Sequence, residues 1–454
     1  LYKMKAGNAF DRKPIYKIKY MYDGKIIGDC DTRSPAGTGT QVANDTPAGT
    51  GTPVGGVDYA ALEEEICRRL VPDYSQVDFS KYPRLCDDTN PMHRIWNDGS
   101  WLKAYLAHGC YWHRCAFCDT TLEYVNRFHK CNARSLCDGL KTQAEKTGVW
   151  GIHFVDEACP PSALVEFGLE NCRGKNSTGG ISGVPKKLTF WGNIRFEKTF
   201  TRDMANFLSY AGLTAVSAGI EIATGDGLEA VNKGTTIENI VKACCAFKEA
   251  GILVHSYMIF GYYNQSEQDL INSMETLRQF FKNGLLDSAF WHKFTLTLHS
   301  TVYKEWQEGK HPKLKPIVNQ PNYSSKAEKT EVRFAENDLR FESEQKSEKY
   351  SEPLNAALDS WMHGENMDVP VAEWFDFKMP SPTIGHKYIK KMIDAYERDR
   401  DESYRKEMTE RDRFLWLGGK VVVSGSRLIW HFMGEEIECE SEKQNAGKLA
   451  EWLN

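Results

Sequence analysis

Gly109-Cys110-Tyr111-Trp112-His113-Arg114-Cys115-Ala116-Phe117-Cys118-Asp119 is the stretch that decides how this chain reads. Cys110, Cys115 and Cys118 fall in one short loop, and thiolate is the soft donor that iron-sulfur clusters and zinc prefer. If the 13 cysteines were scattered at random over 454 residues, this spacing would arise about 0.01 times. Three ligands is the informative number. A structural zinc site closes with four donors, whereas a catalytic centre keeps one position open. Zinc would need His113, Cys131 or Cys137 as a fourth donor, and His113 sits inside the loop, where a tetrahedron would strain to close. Buried cysteines clustered by chance are the remaining alternative. The spacing favours an iron-sulfur cluster with one open iron.

Outward from the loop, short apolar runs at residues 103–108, 151–157, 188–194, 215–221, 253–261 and 290–297 alternate with amphipathic stretches such as 202–210, 237–250 and 267–282. This pattern predicts six βα-like units. Parallel strands joined by helices carry their functional ends on one face. The cysteine loop follows the first strand, and Asp156, Glu157, Arg195 and Glu221 end later ones. All are expected to converge on one mouth. Tyr262 and Tyr263, after Gly261, read either as cavity lining or as rim packing.

The loop, with an aromatic residue just before its last cysteine, resembles the cluster-binding loop of radical S-adenosylmethionine enzymes. Its spacing is CxxxxCxxC where the commonest form is CxxxCxxC. Together with Thr121-Leu-Glu-Tyr124 it looks most like the branch that often carries an N-terminal cobalamin-binding domain. Ile152-His-Phe-Val-Asp-Glu157 is similar to that branch's second-strand motif, and Leu188-Thr-Phe-Trp-Gly-Asn-Ile-Arg195 to its third strand. Ala218-Gly-Ile-Glu-Ile-Ala223, with Leu228 and Lys233-Gly234, resembles its "GIESGS…L…KG" segment.

The resemblance implies an α/β fold: a partial (β/α)6 barrel with a small C-terminal α+β module and a flexible N-terminal segment. It implies that the three cysteines hold a 4Fe-4S cluster whose open iron binds S-adenosylmethionine, with reductive cleavage giving a 5′-deoxyadenosyl radical. Phe117 would lie beside the adenine, and Glu157, with Asp156 as its alternate, would accept from the methionine ammonium. Arg195 would pair with the methionine carboxylate or, structurally, with Glu197 or Glu221. Glu221 would face the ribose or a basic residue. The substrate is an unidentified small molecule or peptide, and the reductant a protein such as flavodoxin or ferredoxin. Cobalamin is the further cofactor that the branch implies, and a cobalamin-dependent methylase is the alternative enzyme. A non-catalytic iron-sulfur or zinc protein is the alternative of another class.

A net charge of −5 and a pI near 6.2 give no electrostatic footprint for nucleic acid. No apolar run is long enough for a membrane span or a signal-peptide core, so a cytoplasmic protein with reduced thiols is expected. Cys244 and Cys245 sit in a helical pattern and read as core. Leu1 in place of Met makes the chain read as a fragment or a processed product.

Residues 1–56 read as an N-terminal segment with a Gly/Thr/Pro-rich linker, where Ser34-Pro-Ala-Gly-Thr-Gly-Thr-Gln-Val42 is nearly repeated at 46–54. The first roughly 100 residues are too short and too Gly/Thr-rich for a complete doubly wound cobalamin domain. Residues 57–100 lead into a radical core over 101–310. A charged linker over 311–350 follows, then a C-terminal module over 351–454 with helices at 354–362, 386–409 and 442–453 and a hairpin within 416–440.

Overall fold

The structure is a computed structural model that describes residues 19–22, 25–28, 59–82, 90–96, 101–173, 186–317, 337–403, 420–432 and 435–453. The chain divides into two units between Ile66 and Cys67. In the first, β1 (Lys19–Tyr22) and β2 (Lys25–Gly28) form an antiparallel hairpin inside the segment expected to be flexible. The near-repeat at 34–54 lies outside the described residues.

The second unit is built on β3 (Trp101–Ala104), β6 (Gly151–Phe154), β7 (Thr189–Ile194), β8 (Leu213–Glu221), β9 (Leu253–Phe260) and β10 (Ser288–Lys293). They form one six-stranded sheet in chain order, every pair parallel, with β3 and β10 at the edges. β8 is buried along almost its whole length, as expected of a parallel strand covered on both faces. Helices Ala133–Thr147, Pro161–Cys172, Arg202–Tyr210, Ile237–Glu249 and Glu267–Lys282 alternate with these strands. Their start points follow from N-caps: Asn132, Thr201, Thr236 and Ser266 each accept from a backbone N–H in the first turn. Phe154, Phe167 and Phe190 meet edge to face in the core, and Cys244 and Cys245 are buried on their helix.

The first and last strands are shorter than their apolar runs, for a local reason each. The Asp156 carboxylate accepts the N–H groups of Leu106 (2.9 Å) and Ala107 (2.7 Å), which pulls the chain out of the sheet after Ala104. β4 (Ala107–His108) then pairs antiparallel with β5 (His129–Lys130). Past β10, β11 (Leu296–Thr297) pairs antiparallel with β12 (Asp338–Leu339), so part of the expected charged linker is ordered. Phe341 is buried there, and a 3-10 turn at Glu344–Tyr350 follows.

Residues 90–96 pack against the N-terminal side of the sheet. Asn90 donates to the Asp287 carbonyl (2.8 Å), Met92 is buried with Trp191 and Ala215, and Trp96 stands edge-on to His255. At the C-terminal end, β13 (Val422–Ser424), β14 (Arg427–Phe432) and β15 (Glu435–Glu440) make a three-stranded antiparallel sheet where one hairpin was expected. With helix Lys443–Leu453 it encloses a small core of Val421, Leu428, Ala446 and Ala450. No helix among the described residues is long and apolar enough to cross a membrane.

Candidate cluster and cofactor site

The cysteine loop leaves β4 at Gly109, whose φ is +75°. A Cβ there would stand 2.1 Å from the Arg127 carbonyl oxygen, so only glycine makes the turn. The loop then docks on the segment that follows β8. Ala116 N–H donates to Val231 O (3.0 Å), Trp112 Nε1–H to Asn232 O (3.1 Å), and the Asn232 amide to Arg114 O (2.9 Å). Gly234 is the second obligatory glycine, since at φ +70° a Cβ would sit 1.9 Å from the Trp112 ring. Thr301 and Val302 donate their N–H groups to the carbonyls of Cys118 (3.1 Å) and Ala116 (2.7 Å). The Asp119 carboxylate accepts from the Thr297 hydroxyl and from the Asn337 amide.

This scaffold brings Cys110, Cys115 and Cys118 to one cavity of about 400 Å³. Phe117, Glu157, Arg195, Glu221 and Lys233 line the same cavity, which lies at the C-terminal ends of the parallel strands. The Cys115 thiol is lowered to about 7 by its hydrogen bond from Cys118 and by the charges of Lys233 and Arg195. The same bond raises Cys118. One thiolate is thus favoured before any metal arrives, which suits a metal-ligating donor set.

Of the fourth donors that zinc would need, His113 lines the cavity with the three cysteines and the other two do not. His113, at φ 37°, holds its Nδ1 2.9 Å from the Cys110 carbonyl, while Cys131 and Cys137 are buried in the main apolar core. Among the described residues no three His, Cys, Asp or Glu side chains are grouped to hold a single ion. Cys115 and Cys118 are close enough to hydrogen-bond, and Cys110 lines the same cavity.

The strand-end residues separate into two kinds. Glu157 is exposed on the cavity wall, with no hydrogen bond or ion pair among the described residues. Asp156, its expected alternate, is buried and serves the fold by holding Leu106 and Ala107; it does not line the cavity. The fork expected to grip a carboxylate is already engaged in Arg195. Its Nε donates to Glu197 (3.0 Å) and its Nη2 to the Lys233 carbonyl (2.6 Å), and the guanidinium lies 4.4 Å from the Trp112 ring centre. Its Nη1 is 3.9 Å from the Cys115 sulfur.

Glu221 has the basic partner its burial demands: Lys233 Nζ at 2.6 Å, both side chains buried. Burial alone would depress the Lys233 ammonium, but Glu221 and Cys115 outweigh it and raise the group. Glu221 adopts φ +67° at a bulge in β8, an uncommon backbone state for a residue with a side chain. A Cβ on Gly219 would lie 1.7 Å from its carboxylate, which explains the glycine.

Tyr262 and Tyr263 do not line the cavity. Tyr262 packs on Phe294, and the Tyr263 hydroxyl meets His311 at 2.9 Å, so they are rim packing. Asn193, Ser217 and Tyr257 do line it and were overlooked. For Asn193 the signal was strand alternation, which puts it on the same face as Arg195 two positions on.

No family model matches the chain. The anaerobic magnesium-protoporphyrin IX monomethyl ester cyclase of Rubrivivax gelatinosus is 24% identical over 268 residues, covering 56% of this chain and 43% of that protein. The chain therefore spans less than half the length of this curated relative. Among solved structures, the radical S-adenosylmethionine methyltransferase TsrM from Kitasatospora setae, with cobalamin and a [4Fe-4S] cluster bound, is 16% identical. That match covers 49% of this chain and 40% of TsrM, with a TM-score of 0.39. The cobalamin-dependent S-adenosylmethionine radical enzyme OxsB, with aqua-cobalamin bound, is 14% identical over 67% of this chain and 46% of its own, with a TM-score of 0.43. The cysteine loop and the ordered strand-end motifs are thus similar to those of the cobalamin-associated branch of radical S-adenosylmethionine enzymes, and the cyclase is the curated relative that the chain matches.

Proposed function

We propose that the chain is a radical S-adenosylmethionine enzyme, with residues 101–310 as its radical core and the parallel sheet as a partial (β/α)6 barrel. Cys110, Cys115 and Cys118 hold three irons of a [4Fe-4S] cluster and leave the fourth for S-adenosylmethionine. Bound there, these two groups supply a one-electron cleavage of a carbon-sulfur bond that gives a 5′-deoxyadenosyl radical. The observation that carries the reading is the meeting of three thiols, two buried cations and an unpaired carboxylate in one cavity at the strand ends.

The chain's own residues bind and orient. Lys233 and Arg195 offset the negative charge that three thiolates bring together. Glu157 accepts hydrogen bonds from the methionine ammonium, and Phe117 covers the adenine. Asp156 holds the backbone from which the cysteine loop departs. The electron comes from an external carrier such as flavodoxin or ferredoxin, and cobalamin is the additional cofactor of this branch.

Anaerobic reconstitution is expected to load about four iron and four sulfide per chain, and dithionite to give a paramagnetic signal that S-adenosylmethionine perturbs. Cys110→Ala, Cys115→Ala and Cys118→Ala should each lose the cluster, while Cys244→Ala should keep it. One zinc per chain with no iron uptake would overturn the reading. The reduced protein should also release 5′-deoxyadenosine without its substrate.

A further inference from the structure

The cavity is polarised along its length. Its charged residues, Glu157, Arg195, Glu221 and Lys233 among them, cluster near the cysteines, whereas the wall deeper along β7, β8 and β9 carries none. There Asn193 and Ser217 face each other as sheet partners, and the Ser217 and Tyr257 hydroxyls are 3.2 Å apart. These are neutral donors and acceptors.

From Tyr257 the wall continues onto the edge strand β10. Ala289 and Trp291 are buried in the main core, so Phe290 and His292 project from the opposite face, and both are exposed. Phe290 is Tyr257's register partner and is 47% exposed. The His292 ring lies 4.7 Å from Phe290 and 5.6 Å from Tyr257. Single exposed apolar residues need no explanation. A row of three neighbouring rings, tilted by 47° and 49° at its two measured contacts and running from a sheet edge into a cavity, does, because such a row packs against an aromatic ligand by its faces and edges.

We propose that this row is the substrate subsite and that it takes a neutral, planar aromatic small molecule, packed against Tyr257, Phe290 and His292. A hydrogen-bonding group at the inner end of that molecule meets Ser217 and Tyr257. The ligand lies along the edge strand β10. This assignment rests on the proposed function, since it takes the cysteine end of the cavity to be filled by the cluster and S-adenosylmethionine.

The test is a binding titration on the anaerobic, cluster-loaded protein with S-adenosylmethionine present. Three probes separate the terms: quinolin-2-one, δ-valerolactam with the same lactam but no aromatic ring, and quinoline-2-carboxylate with the ring but a charge. Quinolin-2-one should bind at least about tenfold more tightly than either of the others. Phe290→Ala and Tyr257→Phe should each weaken it by roughly threefold to tenfold. Tyr82→Ala, which removes an exposed ring outside the cavity, should not. Thermal unfolding of each variant separates loss of the subsite from loss of fold.

Absence of quinolin-2-one binding, preference for the carboxylate, equal binding of valerolactam, or wild-type affinity in both variants would each overturn the subsite. Iron content and S-adenosylmethionine binding are read on the same samples. Selective probe binding to a protein that takes up neither leaves the subsite standing and removes the enzyme reading. Full cofactor loading without probe selectivity does the reverse.

Discussion

Glu221 and Lys233 make a buried pair whose members hold each other in place, and this changes what a substitution should do. Glu221→Gln leaves an ammonium buried without its counter-charge, a cost of about 3 to 5 kcal/mol. Urea unfolding should therefore show a large loss of stability, and Glu221→Gln with Lys233→Met should recover most of it. A single variant as stable as wild type but unable to bind S-adenosylmethionine would move Glu221 from scaffold to ligand contact. The acidic strand end was legible as Asp156-Glu157, with Glu157 the first choice, and Glu157 is the carboxylate that lines the cavity. Strand alternation and the two N–H groups of Leu106 and Ala107 decide that, and the second comes from chain some fifty residues earlier. Arg195 takes the structural alternative of its two expected roles, pairing with Glu197 and not with Glu221. Its partners, Glu197 and the Lys233 carbonyl, are settled by how the cysteine loop docks.

At the scale of elements, the sequence reading was strongest where a cap and a periodic face agree. The helices expected at 202–210 and 267–282 occur as Arg202–Tyr210 and Glu267–Lys282. In the second, Ser266 and Asp269 form a reciprocal capping box. Ser266→Ala should cost about 1 kcal/mol, read as a lower urea midpoint with an unchanged slope. The reading was weakest for two-residue pairings. β4 and β11 lie inside apolar runs that look like continuations of longer strands, and only tertiary partners, β5 and β12, show that the chain has left the sheet. The sixfold alternation itself was legible, because buried parallel strands are written as uninterrupted apolar runs.

For the whole molecule, His255 links the sheet to pH. It is fully buried, its Nδ1 is 2.7 Å from the Ser288 hydroxyl, and Trp96 stands against its ring. Burial first, then His93 and His292, push its pKa down to about 3. The unfolded chain, with a histidine near the ordinary 6.5, binds the extra proton, so stability is full above about pH 6.5 and falls as pH drops toward 3. The slope from this group is at most about 1.4 kcal/mol per pH unit. His255→Asn should flatten it, measured as the difference in urea midpoint between pH 7.5 and pH 5. An unchanged slope would assign acid sensitivity to other groups.

The docking of the cysteine loop on Val231, Asn232 and Gly234, and on Thr301 and Val302, also has a consequence in time. A ribosome releases the three thiols long before it makes the residues that shape them, since Trp112 and Asn232 are 120 positions apart. Until then Cys110, Cys115 and Cys118 belong to an unformed segment, able to capture the wrong metal or to oxidise. On the proposed function, a cluster held by these thiols would therefore load late, on a finished sheet and not on a nascent loop.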